Sequence, residues 1–210
     1  PKLAEGIKKQ VIENSLPDGK KAELVSGQKG VSYLTFEDTL PVAFIEGKAY
    51  HDNQTLIQYL HNMENALIAK DINNTAKGRP NMSLKHTGED GKIHGYMLAY
   101  EGRMSKDEGK EGEEGEPIIY VSDIASDLKH PGTGGALMRA FLEQYRQNYV
   151  SKGNFVPIYA QAREKTSYAI IKSKLKKYGE EVGLELEMEE LGTYKEGDDT
   201  MHQIVIRVKI

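Results

Sequence analysis

The sequence predicts a mixed α/β fold in which helices flank a sheet, and three observations carry that expectation. Helix-period segments alternate with short apolar runs along the 210 residues. The run Ile118 to Ala125 is apolar on both faces, the pattern of a strand buried at the centre of a sheet. A glycine cluster after it opens directly into an amphipathic stretch, giving strand, loop and helix in succession. The length suits one domain, or one domain with a modest extension.

The elements follow in order. Leu3, Ile7 and Val11 recur at helical spacing, so a short amphipathic helix is expected from about Lys2 to Ser15. Leu16-Pro17-Asp18-Gly19 ends it with turn chemistry. Gly30 to Phe36 and Pro41 to Ile45 read as short strands broken by Glu37-Asp38-Thr39. Asp52 or Asn53 can cap a helix running to about Lys70, with Leu56, Leu60, Met63 and Leu67 on one face. The polar stretch Asp71 to Lys85 reads as a loop ending in an edge strand.

Glu89-Asp90-Gly91-Lys92 is a turn into a strand at Ile93 to Tyr100. Gly102 to Glu116 is too rich in acid and glycine to pack, so a mobile loop is expected there. A helix from about Gly134 to Tyr149 buries Leu137, Met138, Phe141, Leu142 and Tyr145. A strand at Phe155 to Gln161 leads to a helix from Thr166 to about Tyr178. Leu184 to Met188 and Gln203 to Val208 form a closing pair of strands, joined by the polar segment Gly192 to Thr200.

Composition removes several function classes. Hydrophobic residues make up 38% and charged residues 29%, a globular mixture able to bury a core. No run reaches the roughly 18 apolar residues of a membrane-spanning helix. Pro1-Lys2-Leu3-Ala4-Glu5 lacks the apolar run of a secretory signal, so a soluble, cytoplasmic protein is expected. Zero cysteines exclude disulfides, thiolate metal sites and a cysteine nucleophile. A net charge of −4 argues against nucleic acid as an electrostatic partner. The six histidines show no i, i+4 pair of the kind zinc enzymes use, and no metal is expected.

The stretch Ile119-Tyr120-Val121-Ser122-Asp123-Ile124-Ala125-Ser126, continuing through Lys129-His130-Pro131-Gly132-Thr133-Gly134-Gly135-Ala136-Leu137, carries the chemistry. Glycines before a helix let the backbone approach a ligand, and a helix start offers unpaired N–H groups at its positive end. That combination suits a pyrophosphate; a plain turn in which glycine only supplies positive φ is the other reading. A Walker-type loop needs a lysine and a hydroxyl that Gly134-Gly135-Ala136 does not supply. A dinucleotide fingerprint wants a third glycine where Leu137 stands, and a strand running straight into the first glycine.

The window Lys129-His130-Pro131-Gly132-Thr133-Gly134 resembles the acyl-coenzyme A loop of the GNAT superfamily of N-acetyltransferases, Gln/Arg-x-x-Gly-x-Gly/Ala. Tyr120-Val121-Ser122-Asp123-Ile124-Ala125 is similar to the strand that precedes that loop in the family. The element order from residue 85 to 210 matches as well, whereas residues 1–84 fit only loosely as part of the same domain or a divergent extension. The resemblance implies a mainly antiparallel central sheet with splayed central strands. It also implies acetyl-coenzyme A as co-substrate and transfer of its acetyl group to an amine by direct attack.

By resemblance, Ile124 and Ser126 would pair the pantetheine arm, with a backbone N–H near Ile124 polarising the carbonyl. Lys129, Gly132, Thr133, Gly134, Gly135, Ala136 and Leu137 would form the pyrophosphate loop. Two departures stand out. Lys129 replaces the family's Gln or Arg, and Pro131 stands where arginine is frequent. The family's late tyrosine is also displaced: setting Thr166 and Ala169 on its pattern puts Ser173 in that place, and Tyr168 is the nearest substitute.

Tyr168 is thus the candidate acid for the leaving thiolate, with core packing of its ring as the competing role. Asp123 is the candidate base, because burial in an apolar strand raises a carboxylate's pKa; capping a strand end is its competing role. Alternation puts Tyr120 on the opposite face, where it would relay the proton if that face meets the acceptor. Asp107, Glu108, Glu111, Glu113, Glu114 and Glu116 outnumber Lys106 and Lys110 in the acidic loop, which favours a cationic acceptor such as a polyamine or a lysine-rich peptide. A fold of this type binding a partner or a coenzyme A derivative without turnover is the alternative from a different class.

Overall fold

The computed structural model describes residues 28–50, 58, 80–104, 115–127, 129–196 and 198–209. The strands are β1 (Val31–Tyr33), β2 (Leu84–Thr87), β3 (Ile93–Met104), β4 (Glu116–Ser126), β5 (Ile158–Arg163), β6 (Leu186–Glu196) and β7 (Asp199–Val208). The helices are α1 (Thr39–Tyr50), α2 (Thr133–Asn148) and α3 (Ala169–Glu181). The strands form one seven-stranded open sheet in the order β1-β2-β3-β4-β5-β7-β6. The pairs β1–β2, β2–β3, β5–β7 and β6–β7 are antiparallel, and β4–β5 is parallel. This is the mixed, mainly antiparallel sheet with flanking helices that the sequence predicts. The helices expected at Lys2 to Ser15 and Asp52 to Lys70 lie outside the described residues, apart from Gln58, which is helical.

The chain divides into two compact units, residues 1–97 with 124–137, and residues 98–123 with 138–210. In the first, Val31, Leu34, Val42, Leu84, Tyr96, Met97 and Leu137 are buried. Pro41 to Ile45, expected as a strand, belongs to helix α1. Just upstream, the Asp38 carboxylate accepts the Thr35 N–H at 2.7 Å and the Thr35 hydroxyl at 2.9 Å, and the Asp38 N–H donates to the Thr35 carbonyl at 3.1 Å, a turn that leads the chain into the helix. Pro41 then falls in the first helical turn, where no N–H is needed. Lys85 Nζ lies 2.6 Å from Asp38 Oδ2, a largely buried pair that ties β2 to the start of α1. β2 itself is paired on both sides, so it is not the edge strand the sequence suggested.

In the second unit, Ile119, Phe141, Leu142, Tyr145, Ile158, Ile171, Leu175 and Ile204 are buried. The Tyr145 hydroxyl donates to the Val156 carbonyl at 2.7 Å, and burial pushes its pKa up to about 12. The segment Gly192 to Thr200, expected as a connection, is strand on both sides of a tight turn. Its ladder extends from Leu186↔Val208 to Glu196↔Asp199, with a bulge between Glu190 and Gly192. Leu184 to Met188 alternates apolar with polar and reads as strand, whereas Glu189-Glu190 and Gly192 to Glu196 carry no apolar alternation, so the rest of this edge strand is hidden from a hydrophobicity reading. The helix expected from Thr166 is preceded by a π-helical turn at Glu164–Tyr168, and α3 starts at Ala169.

Candidate active site

β4 and β5 pair at only three positions, Ile119↔Ile158, Tyr120↔Tyr159 and Val121↔Ala160. Beyond them β4 continues to Ser126, while β5 continues to Arg163 paired with β7. This parting is the splay of central strands expected from the sequence. It follows from two strands that run in the same direction for three residues and then serve different neighbours.

The glycine turn lies in the first unit. Its path is fixed by backbone bonds: Asp127 N–H to the His94 carbonyl at 2.8 Å, and His130 N–H to the Asp127 carbonyl at 3.0 Å. Asp127 Oδ1 also accepts the Lys129 N–H at 3.0 Å, an Asx turn that reverses the chain. Gly132 has φ +95°, and nothing lies within 4 Å of where a Cβ would sit. Its carbonyl accepts the Ala136 N–H at 2.9 Å, so the N–H groups of Gly134 and Gly135 precede the first helical bond of this turn. A Cβ on Gly134 would meet only Ser126 Oγ, at 3.8 Å. Thr133 and Leu137 are buried, while Lys129 is exposed. Ile124 and Ser126 are half-buried at the end of β4. Open space beside Gly132 and Gly134 at a positive helix end fits a pyrophosphate.

The floor under this turn is a part of the site the sequence reading missed. A Cβ on Gly95 of β3 would come within 2.5 Å of Thr133 Cγ2 and 3.0 Å of the Ala125 carbonyl. Glycine there lets β3 pass directly beneath the start of α2. Beside it, the buried His94 ring stacks on His130 with centroids 3.4 Å apart and planes 15° apart.

The three catalytic candidates lie in the second unit. Tyr120 is half-buried in a tyrosine cluster, 5.3 Å from Tyr100 in an edge-on arrangement and 5.6 Å from Tyr159. Asp123 is half-buried on β4 and, by alternation, shares a face with Val121 rather than with Tyr120. Tyr168 is buried, and its hydroxyl donates to Glu190 Oε2 at 2.5 Å. Its ring stacks on His202 at 3.7 Å with planes 5° apart, and His202 Nδ1 lies 3.0 Å from Glu190 Oε1.

That bond to Glu190, followed by burial, raises the Tyr168 pKa, and the hydrogen bonds to Tyr168 and then His202 hold Glu190 below the usual carboxylate range. Tyr168, Glu190 and His202 come from the π-helical turn, β6 and β7, so only the folded hairpin register brings them together. Glu190 sits in an acidic, exposed run that reads as solvated surface, which is why sequence alone passes over it. Among the described residues, no group of three or more His, Asp or Glu is placed to hold a metal ion. Among them, too, no helix is long and apolar enough to cross a membrane.

No family model matches the sequence, and no curated protein matches it. Solved structures do match. One is a histone acetyltransferase HPA2 and related acetyltransferase from Corynebacterium glutamicum, with a TM-score of 0.52 and 16% identity over 86% of this chain and 96% of that one. Another is the diaminobutyrate acetyltransferase EctA from Paenibacillus lautus, bound to L-2,4-diaminobutyric acid and coenzyme A, with a TM-score of 0.51 and 14% identity over 87% and 95%. A third is the arylalkylamine N-acetyltransferase 2 from Aedes aegypti, with a TM-score of 0.50 and 11% identity over 85% and 97%. The chain has the GNAT fold.

Proposed function

We propose that this chain is an acetyl-coenzyme A-dependent N-acetyltransferase that acts on a primary amine by direct attack. The observation that carries the reading is the end of β4. The strand leaves its partner β5 after Val121 and ends in a glycine turn with open space beside Gly132 and Gly134 at a helix start. A fold is not a function. The support therefore rests on this turn, with the amine acetyltransferases among structures of the same fold as a second line.

Gly132, Thr133, Gly134 and Gly135 would hold the pyrophosphate through backbone N–H groups, with Ile124 and Ser126 lining the arm. Acetyl-coenzyme A supplies the thioester when bound. The new bond joins the amine nitrogen to the acetyl carbon, the carbon–sulfur bond breaks, and one proton leaves the nitrogen while one reaches the sulfur. A tyrosine holds its proton at neutral pH, so Tyr168 can serve as the acid, and its raised pKa makes it a weaker donor than a free phenol. Asp123, or a water it orients, takes the amine proton, with Tyr120 as the alternative relay. The acceptor is a small amine or a lysine side chain, and a cationic one fits the acid-rich residues 106–116 between β3 and β4. A cytoplasmic location completes the reading.

A second reading, binding of a partner or coenzyme A derivative without turnover, is favoured by one observation: the Tyr168 proton is already engaged by Glu190. Incubation with labelled acetyl-coenzyme A and a panel of amines separates the two. Label on an amine, at a rate well above the uncatalysed background, is expected. Melting shifts with coenzyme A but no transfer to any amine would establish the second reading. Saturation at a hundred times the dissociation constant stabilises the fold by about 2.7 kcal/mol, readily visible in a melt.

A further inference from the structure

We infer that His94 is a positioning residue for the coenzyme A turn, acting through His130 and buttressed from behind by the bare backbone of Gly88. The inference rests on the reading of the glycine turn as the pyrophosphate site. An anion held by backbone amides needs those amides fixed beforehand, because ordering a loop on binding subtracts from affinity. This turn has no charged side chain at the Pro131 position to help, so its affinity depends on how well the loop is held.

His94 holds it twice. Its carbonyl accepts the Asp127 N–H at 2.8 Å, which starts the Asx turn. Its ring stacks on His130, the residue whose own carbonyl faces the Thr133 N–H at 3.4 Å. The other surroundings of the ring are equally close. A Cβ on Gly88 would lie 2.1 Å from His94 Cε1 and 2.6 Å from Nδ1, so any side chain there collides with the ring. Asp90 Oδ1 lies 3.0 Å from His94 Nε2, beside the same edge of the ring. The β2–β3 turn, the His94 ring and the glycine turn thus form one stacked column, all within the first unit. Gly88 has an ordinary backbone conformation, so an alanine there acts through the side chains it meets, first the His94 ring and then Asp90 Oδ1 at 2.9 Å, rather than through backbone strain.

The test measures coenzyme A affinity by calorimetry, and KM for acetyl-coenzyme A against kcat with an accepted amine. His94→Ala keeps the backbone bond to Asp127 and removes only the ring. It is expected to weaken coenzyme A about tenfold, with the loss falling on KM rather than kcat. His94→Phe keeps a flat ring and should recover most of that loss. Gly88→Ala should weaken binding about fivefold in the wild type but less than twofold in the His94→Ala background. Such non-additivity identifies one physical path, whereas independent effects would add.

Unchanged affinity in His94→Ala, additive losses in the double variant, or no recovery by phenylalanine would each overturn the inference. If His94→Ala does not fold, Gly88→Ala alone decides it: unchanged coenzyme A affinity in that variant overturns the role. Failure of the wild type to bind coenzyme A would instead overturn the functional reading.

Discussion

The glycine turn and the Tyr168 cluster are built on opposite principles. The turn is held mainly by backbone: main-chain hydrogen bonds and close approach at Gly95, helped by the Asp127 carboxylate and the His94–His130 stack from residues near in sequence. The Tyr168 cluster is held by side chains alone: a phenol, a carboxylate and an imidazole joined across three elements. Recognition of a common phosphate group needs only amides and space, so it is written in a short contiguous motif. Proton handling needs matched pKa values, and those depend on neighbours that the fold brings from far along the chain. The first kind of region announces itself in sequence; the second does not.

The largest effect is expected in the second region. Tyr168→Phe removes one hydroxyl while keeping the ring stacked on His202. If Tyr168 is the acid, turnover should fall about 10²–10⁴-fold with acetyl-coenzyme A affinity little changed. Near-full turnover in stopped assays would remove Tyr168 from the mechanism and turn attention to Tyr120. In the first region, Gly95→Ala should cost about 1–3 kcal/mol of stability, because its Cβ would press on Thr133 and on the Ala125 carbonyl. A urea midpoint equal to wild type would show that the start of α2 can move away from β3.

The contrast explains how much was legible beforehand. Strand β4, the turn and helix α2 were readable because apolar runs, glycines and helical spacing coincide within 119–148. The splay of β4 from β5 and the mainly antiparallel sheet followed from the resemblance those residues carry. Helix α1 was misread because Pro41-Val42-Ala43-Phe44-Ile45 is apolar and partly β-branched, while the Thr35–Asp38 turn that leads into the helix sits outside the run. The β6–β7 hairpin extends farther than expected because its outer residues are charged. Glu190 and His202 are adjacent only through that hairpin's register, a relation no local pattern encodes.

Smaller effects sharpen the comparison further. Replacing the glutamates among residues 106–116 with glutamine should raise KM for a cationic amine severalfold and leave KM for acetyl-coenzyme A unchanged. The difference should shrink as salt shortens the screening length from about 10 Å at 0.1 M to about 3 Å at 1 M. An acceptor KM indifferent to both changes would point to a neutral or acidic amine.

The histidines beside the turn predict the last and smallest effect. Burial, and then the charges of His94 and His130, lower the His86 pKa from its ordinary value. The unfolded chain therefore takes up a proton as pH falls through about 6.5, while folded His86 resists it. Stability contributed by this group is full above that value and declines as pH drops toward the folded pKa. Urea midpoints at pH 7.5 and 5.5 should differ less in His86→Phe than in the wild type. An equal difference in both proteins would assign the slope to other groups.

The central claim is that the amides at the start of α2 hold the pyrophosphate of coenzyme A. Its most direct test is calorimetric titration of coenzyme A into the wild type and into Gly134→Glu. The position faces open space, with only Ser126 Oγ nearby, so the variant should fold and melt like the wild type. Its carboxylate would occupy the cradle and repel the phosphates, and binding should weaken at least about a hundredfold, roughly 2.7 kcal/mol. A folded Gly134→Glu protein that binds coenzyme A as tightly as the wild type would contradict the account.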